Sequence, residues 1–285
     1  MLRVALPNKG RMAEEARALF ADAGLEVRPS SDRSLIAAVS DDLEVIFARS
    51  QDIPEFVADG AADCGVTGRD LVLESSRPLA DRLDLGFGRC RLVFAVRDDS
   101  PIEAAAQVDG TVRVATAFPR LTERFFAEQG RGVQLVPVSG AAEITPHLGI
   151  ADAIVDLVST GSTLRTNGLR ELATILDSTA RLVTRDPVAP SQAGELDALV
   201  ARLDSVVRAR GQRYLMANVP RASLGRIKEV VPGIDGPTVM DVLDGGAHVA
   251  VHAVVAAAKI DATIRGLKSL GATGVLVTRI ERLVP

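Results

Sequence analysis

Between Ala151 and Leu164 the chain reads Ala-Asp-Ala-Ile-Val-Asp-Leu-Val-Ser-Thr-Gly-Ser-Thr-Leu. An aliphatic strand runs into a turn made of Ser159, Thr160, Gly161, Ser162 and Thr163, and a helix can begin there at once. Free backbone N–H groups at a helix start attract a phosphate dianion. Gly161 lets the backbone come close to such a ligand, and Thr160, Ser162 and Thr163 add hydroxyl donors. Asp156, near the end of the strand, is spaced to accept hydrogen bonds from ribose hydroxyls a few residues from a 5′-phosphate seat. The turn holds no lysine and departs from G-x-x-x-x-G-K-[ST], which argues against a nucleoside-triphosphatase loop. The same residues also suit an ordinary Ser/Thr helix cap beside a solvated aspartate, and spacing alone does not separate the two.

Other polar residues stand at similar turns. Leu6-Pro7-Asn8-Lys9-Gly10-Arg11 follows an aliphatic strand, and Lys9 and Arg11 there could meet phosphates or simply be exposed cations. Arg49, just after Leu43–Ala48, could hold a departing diphosphate or form a surface ion pair. In Thr67-Gly68-Arg69-Asp70 the carboxylate of Asp70 could bind a base amine, bind a sugar hydroxyl or cap the next helix. The histidines, His147, His248 and His252, show no metal-ligand spacing. His248 and His252 share a strand face but lie about 13 Å apart along it, so no zinc site is expected. Cys64 sits in a short apolar strand and reads as packing. The two cysteines make no disulfide framework and fit a reducing compartment.

The elements that would carry these residues alternate strand and helix. Strands are expected at Leu2–Leu6, Leu35–Val39, Leu43–Ala48, Cys64–Val66, Leu92–Val96, Val112–Thr116, Val133–Val138 and Ala153–Val158. Helices fit between them, as at Met12–Ala23 and Arg120–Glu128. The rhythm predicts a mainly parallel sheet covered on both faces. The chain has 285 residues, 47% of them apolar and only 3% aromatic, so its cores must be aliphatic. The order strand, Asp52-Ile53-Pro54, Gly60-Ala61-Ala62-Asp63, strand, Thr67-Gly68 is echoed by strand, Glu143-Ile144-Thr145-Pro146, Gly149-Ile150-Ala151-Asp152, strand, Thr160-Gly161. Two similar lobes follow, each aiming a Thr-Gly turn at a shared cleft. After a helix at Glu195–Arg210 the pattern becomes β-α-β-β-α-β, a ferredoxin-like arrangement. The expected division is residues 1–90 with 184–211 as the first lobe, 91–183 as the second and 212–285 as a C-terminal module that senses ligands, mediates assembly or is purely structural. The net charge of -4 and the scarce aromatics argue against nucleic acid. No apolar run reaches the roughly 18 residues of a membrane span, and the first residues lack the apolar core of a secretion signal, so a cytoplasmic protein is expected.

Taken together, these stretches resemble the ATP phosphoribosyltransferase family in its long form. Glu143 … Gly149-Ile150-Ala151 … Ile154-Val155-Asp156-Leu157 … Thr160-Gly161-Ser162-Thr163-Leu164 resembles the family signature. Leu6–Arg11, Arg49 … Asp52-Ile53-Pro54, Asp63–Asp70 and Leu85-Gly86-Phe87-Gly88 are also similar, so the likeness spans most of the first 170 residues. The resemblance implies a bilobed catalytic core like that of periplasmic binding proteins and a C-terminal regulatory domain. It implies that ATP and 5-phosphoribosyl diphosphate, with Mg2+, give N1-(5-phosphoribosyl)-ATP and diphosphate. It further implies feedback inhibition by histidine, AMP competing at the active site, and a hexamer built from dimers. Carried over, Asp156 and Ser159–Thr163 hold the ribose 5-phosphate, Glu143 contacts the sugar hydroxyls or orients the loop, and Arg49 and Lys9, with Arg11, meet di- or triphosphate. Asp70 is assigned to the nucleotide, and Asn218 and Thr238 to the inhibitor site. No protein side chain is assigned to the metal. A two-lobed solute receptor, a non-catalytic regulatory paralogue and a phosphoribosyltransferase for another base are the competing readings.

Overall fold

The computed structural model of the chain describes residues 1–28, 34–190, 192–234, 236–243 and 245–284. The chain forms two compact units, Met1–Ala18 with Leu25–Val200 and Leu19–Gly24 with Ala201–Pro285. The first begins with β1 (Leu2–Pro7), α1 (Arg11–Asp22), β2 (Ile36–Ser40), β3 (Leu43–Ala48), α2 (Ile53–Ala58), β4 (Cys64–Gly68), α3 (Arg69–Ser75) and β5 (Leu79–Asp84). Next come β6 (Cys90–Arg97), β7 (Arg113–Thr116), α4 (Pro119–Ala127), β8 (Gln134–Pro137), β9 (Ala153–Val158), α5 (Ser162–Thr166) and β10 (Leu169–Ser178). Then follow β11 (Ala180–Arg185) and α6 (Ala193–Arg210). One sheet has the order β2-β3-β1-β4-β11-β5 and the other β10-β6-β9-β7-β8.

Both sheets are mixed, which corrects the expectation of mainly parallel pairing. The parallel pairs are β1 with β3 and β4, and β7 with β8 and β9. Strands β2, β5, β6, β10 and β11 all run antiparallel to their neighbours. Strands β5, β10 and β11 were not foreseen because charges interrupt them (Leu-Ala-Asp-Arg-Leu-Asp, Leu-Arg-Glu-Leu-Ala-Thr-Ile-Leu-Asp-Ser, Ala-Arg-Leu-Val-Thr-Arg). Their wet faces tolerate those charges, as antiparallel sheets allow. The chain leaves the first sheet after β5 and returns through Ser178–Ala180, so the expected lobe boundary at 184 falls inside β11. The two crossings are tied together: Leu85 N–H donates to Ala180 O at 3.0 Å and Ala180 N–H to Phe87 O at 2.9 Å.

The internal echo is a matched pair of local structures. Asp63 donates its N–H to Arg3 O at 2.8 Å and its carboxylate accepts from Arg3 N–H at 2.7 Å. Asp152 donates to Arg113 O at 2.8 Å and accepts from Arg113 N–H at 2.9 Å. In each sheet an aspartate thus clips the start of one strand to its parallel neighbour. The aliphatic cores that hold the strands include Phe94, Phe126, Leu92 and Val155 on one face of the second sheet and Ile154, Val93 and Leu164 on the other. In the first sheet α2 lies tight on β4, where a Cβ at Gly65 would stand 2.5 Å from Ile53 Cγ2.

The second unit continues with β12 (Gln212–Pro220), α7 (Ile227–Val230), β13 (Thr238–Asp241), β14 (His248–Ala256), α8 (Ile260–Ser269) and β15 (Thr273–Arg279). Its sheet order, β13-β14-β12-β15 with every pair antiparallel, is the ferredoxin-like arrangement. Alternation sets its faces: Leu215, Ala217, Val219, Val249 and Val251 are buried under the helices. The first helix of the expected β-α-β-β-α-β order is a 3₁₀ stretch, Arg221–Arg226, followed by the single turn α7. Gly225 inside it and Pro232 after it weaken any longer helix. The last strand stops at Arg279, which stands opposite Arg213 of β12.

Candidate functional site

Strand β9 lies in the middle of the second sheet, and its C-terminal end delivers the hydroxyl loop. Gly161 has φ +74°, a left-handed conformation that a residue with a Cβ resists. A Cβ there would also sit 3.0 Å from Arg165 Nη1 and 3.3 Å from Glu171 Oε1. The N-cap position of α5 falls on this glycine, and no side chain caps the helix. Thr160 Oγ1 accepts the Ser162 N–H only at a long 3.4 Å. Thr160 and Ser162 share one hydrogen bond at 2.9 Å, and Ser159, Thr160, Ser162 and Thr163 are all exposed. The helix is a single turn, so its macrodipole is small and the loop's polar character comes from its N–H and O–H groups.

The loop is braced from behind. Asn167 Nδ2 donates to Thr163 O at 2.9 Å, and His147 Nε2 donates to Asn167 O at 2.6 Å. Arg91 holds Glu171 by two bonds of 2.8 and 3.1 Å beneath Gly161. A cavity of about 200 Å³ opens over the loop, lined by Glu143, Asp156, Ser159, Thr160, Gly161 and Thr163 among others. Glu143 sits in a 3₁₀ turn, Ala142–Ile144, entered through Ala141 at φ +51°. Burial pushes the Asp156 carboxyl up, the Leu157 N–H at 2.7 Å opposes this, and the charge of Glu143 raises it further. Two carboxylates beside an anion loop match a ligand with hydroxyls next to a phosphate.

The expected cations of the first sheet come together elsewhere. Lys9 and Arg11 follow β1 and Arg49 follows β3, all exposed at the C-terminal ends of parallel strands. These turns are joined by Asn8 N–H to Ala48 O at 2.8 Å and Thr67 Oγ1 to Ser50 O at 2.7 Å. None of the three cations lines the loop cavity. The echo also diverges here: Thr67 is fully buried as a brace, whereas Thr160 is open. Asp70, which the resemblance assigns to the nucleotide, is enclosed at its turn. It is 3% exposed, and its carboxylate accepts the Ser178 hydroxyl at 2.5 Å. Burial raises its pKa against that bond. Ser178 and the half-buried Cys90, whose thiol burial pushes up to about 11, were missed because the ends of β10 and β6 carry no motif.

In the second unit Asn218 stands opposite Ala250 and Thr238 opposite His252, which puts both on the sheet face away from the helices. The same face carries a hydrogen bond of 2.6 Å between Tyr214 OH and His252 Nδ1, which had no sequence signal. Among the described residues no helix is long and apolar enough to cross a membrane, and no group of three or more His, Cys, Asp or Glu is gathered for a metal.

Fold and site define a bilobed α/β protein with a hydroxyl-lined loop at the end of a central strand, joined to a ferredoxin-like module. The family model described as HisG, ATP phosphoribosyltransferase, matches residues 49–205, and that of the HisG C-terminal domain matches residues 209–282. A Gemmatimonas aurantiaca protein named ATP phosphoribosyltransferase is 60% identical, over 100% of both chains. One of the same name from Natronomonas pharaonis is 49% identical, again over 100% of both. A solved structure of the ATP phosphoribosyl transferase (HisG:HisZ) complex from Thermotoga maritima matches with a TM-score of 0.64 and 27% identity, covering 73% of this chain and 99% of that one. The chain belongs to the ATP phosphoribosyltransferase family, pentosyltransferases of histidine biosynthesis.

Proposed function

We propose that the chain joins ATP to 5-phosphoribosyl diphosphate, giving N1-(5-phosphoribosyl)-ATP and diphosphate, the first step of histidine biosynthesis. The observation that carries this is the loop cavity, where Ser159, Thr160 and Thr163 line the same space as Asp156 and Glu143. In this reading the loop takes the 5-phosphate and the two carboxylates take the ribose hydroxyls. Adenine N1 attacks the anomeric carbon with its own lone pair, so no covalent nucleophile and no general base is required. Positive charge grows on the sugar as diphosphate leaves. The carboxyl groups of Asp156 and Glu143 line the same cavity, and fixed positions replace solvent reorganisation. Lys9, Arg11 and Arg49 supply cations at the strand ends of the first sheet for the phosphate chains.

Mg2+ fits this donor set: it prefers one or two carboxylates together with substrate phosphates, and Glu143 and Asp156 stand beside the phosphate loop. When bound it would neutralise charge on the diphosphate. Histidine as feedback inhibitor is assigned to the second unit, with Asn218 and Thr238 on its open sheet face. AMP competing at the active site, a hexamer of dimers and a cytoplasmic location complete the reading. The test is direct. Protein, Mg2+, ATP and 5-phosphoribosyl diphosphate are mixed, and the absorbance of phosphoribosyl-ATP is followed. Intact substrates at high enzyme concentration would exclude the catalytic reading and leave a binding protein. Histidine added to an active sample, with Asn218→Ala and Thr238→Ala alongside, tests the inhibitor face; unchanged inhibition in both variants would remove it from these residues.

A further inference from the structure

We propose that Arg69 and Arg89 form a second anion seat, continuous with the loop cavity, that takes the polyphosphate chain of a substrate; this rests on the reading of Ser159–Thr163 as the sugar-phosphate seat. A cavity of about 500 Å³ opens where the start of α3, the start of β6 and the β10–β11 crossing meet. Ser159 lines both this cavity and the loop cavity, so a ligand can extend from one into the other.

The donors around it are unequally satisfied. Arg91 is held by Glu171, and Arg181 by Asp81 at 3.2 Å and Asp84 at 3.0 Å. Arg69 and Arg89 are exposed and have no acidic partner within ion-pair distance among the described residues. The hydroxyl-bearing residues Ser159, Ser178 and Thr179 line the same wall. Guanidinium groups only donate and a hydroxyl can donate, so the complementary ligand is rich in acceptors. Two carboxylates line the cavity, Asp84 and Asp177; Asp84 is held by Arg181, which leaves Asp177 against the two cations without an acidic partner. A phosphoanhydride chain offers several charged oxygens at the spacing a guanidinium fork recognises. A lone monoester phosphate already has its place on the loop. The chain has two possible sources, the diphosphate of 5-phosphoribosyl diphosphate and the triphosphate of ATP.

The full-length protein, wild type and Arg69→Gln/Arg89→Gln, is titrated calorimetrically with ribose 5-phosphate, inorganic diphosphate, 5-phosphoribosyl diphosphate and ATP. The double variant should lose about ten- to hundredfold in affinity for at least one polyphosphate ligand, the range of charge-assisted bonds, while ribose 5-phosphate changes by less than about twofold. Loss with diphosphate and 5-phosphoribosyl diphosphate alone assigns the seat to the leaving group; loss with ATP alone assigns it to the nucleotide. Unchanged affinity for all polyphosphate ligands overturns the proposal, as does a parallel loss for ribose 5-phosphate. Thr163→Ala in the same titration separates the two readings. If it leaves ribose 5-phosphate binding intact, the loop reading fails, while inorganic diphosphate and ATP still report on Arg69 and Arg89.

Discussion

The hydroxyl of Ser178 donates to the carboxylate of Asp70 at 2.5 Å, joining the last residue of β10 to the first turn of α3 across 108 positions of sequence. Ser178 in turn accepts the Asp70 N–H at 3.1 Å. The pair ties the end of one sheet to a helix that follows the other.

Burial raises the Asp70 pKa above its unfolded value. The native state therefore holds this proton more tightly, and its contribution to stability is full below the unfolded pKa and declines as pH rises through the raised one. Asp70→Asn removes that dependence. Urea unfolding of both proteins from about pH 4.5 to 8 should show the variant gaining on the wild type as pH rises. A constant difference would show that Asp70 titrates alike in both states. Ser178→Ala should cost about 1–3 kcal/mol at neutral pH by leaving a buried carboxylate short of a donor, and less in acid.

Thr163→Ala should weaken binding of 5-phosphoribosyl diphosphate by about 1–3 kcal/mol, the range for a lost bond to a charged group. Fluorescence or calorimetric titration measures it. Unchanged affinity would return the Thr163 hydroxyl to a solvated role.

Glu143 raises the Asp156 carboxyl through its charge. Glu143→Gln lowers the Asp156 pKa, so ionised Asp156 persists to lower pH. The acid limb of kcat/KM for 5-phosphoribosyl diphosphate should move to lower pH, whatever the loss of rate at the plateau. A limb that stays in place would mean that another group controls it.

Gly65→Ala should destabilise the first unit by about 1–3 kcal/mol through overpacking, since Ile53 and Val57 leave its Cβ no room. Thermal or urea unfolding gives the figure. No loss would mean that α2 can shift outward freely.

The loop was legible because an uninterrupted aliphatic strand ends in residues that can only turn. Asp63 and Asp152 were legible as an echo, and both clip a strand start in the same way. The ferredoxin-like order followed from alternation in β12 and β14, whose alternate residues are buried. Asp70 was not legible in its seat, because its partner Ser178 lies on a strand whose charges hide its period. Thr67 and Thr160 read alike in sequence, yet one is sealed against Ser50 O and the other faces solvent. Local pattern fixes the turn; only the neighbour across it decides whether a hydroxyl is free.

The position of β11 between β4 and β5 has a consequence for the birth of the chain. Among the described residues β5 pairs with β11 alone, which is made about a hundred residues after it at a few to tens of residues per second. While the second sheet is being synthesised, β5 waits unpaired and one side of β4 stands open. The first lobe is thus begun first and finished last. Its edge is exposed to wrong partners for seconds on the ribosome, and the residues 180–185 that seal it set the moment at which the nascent enzyme becomes safe from misassembly.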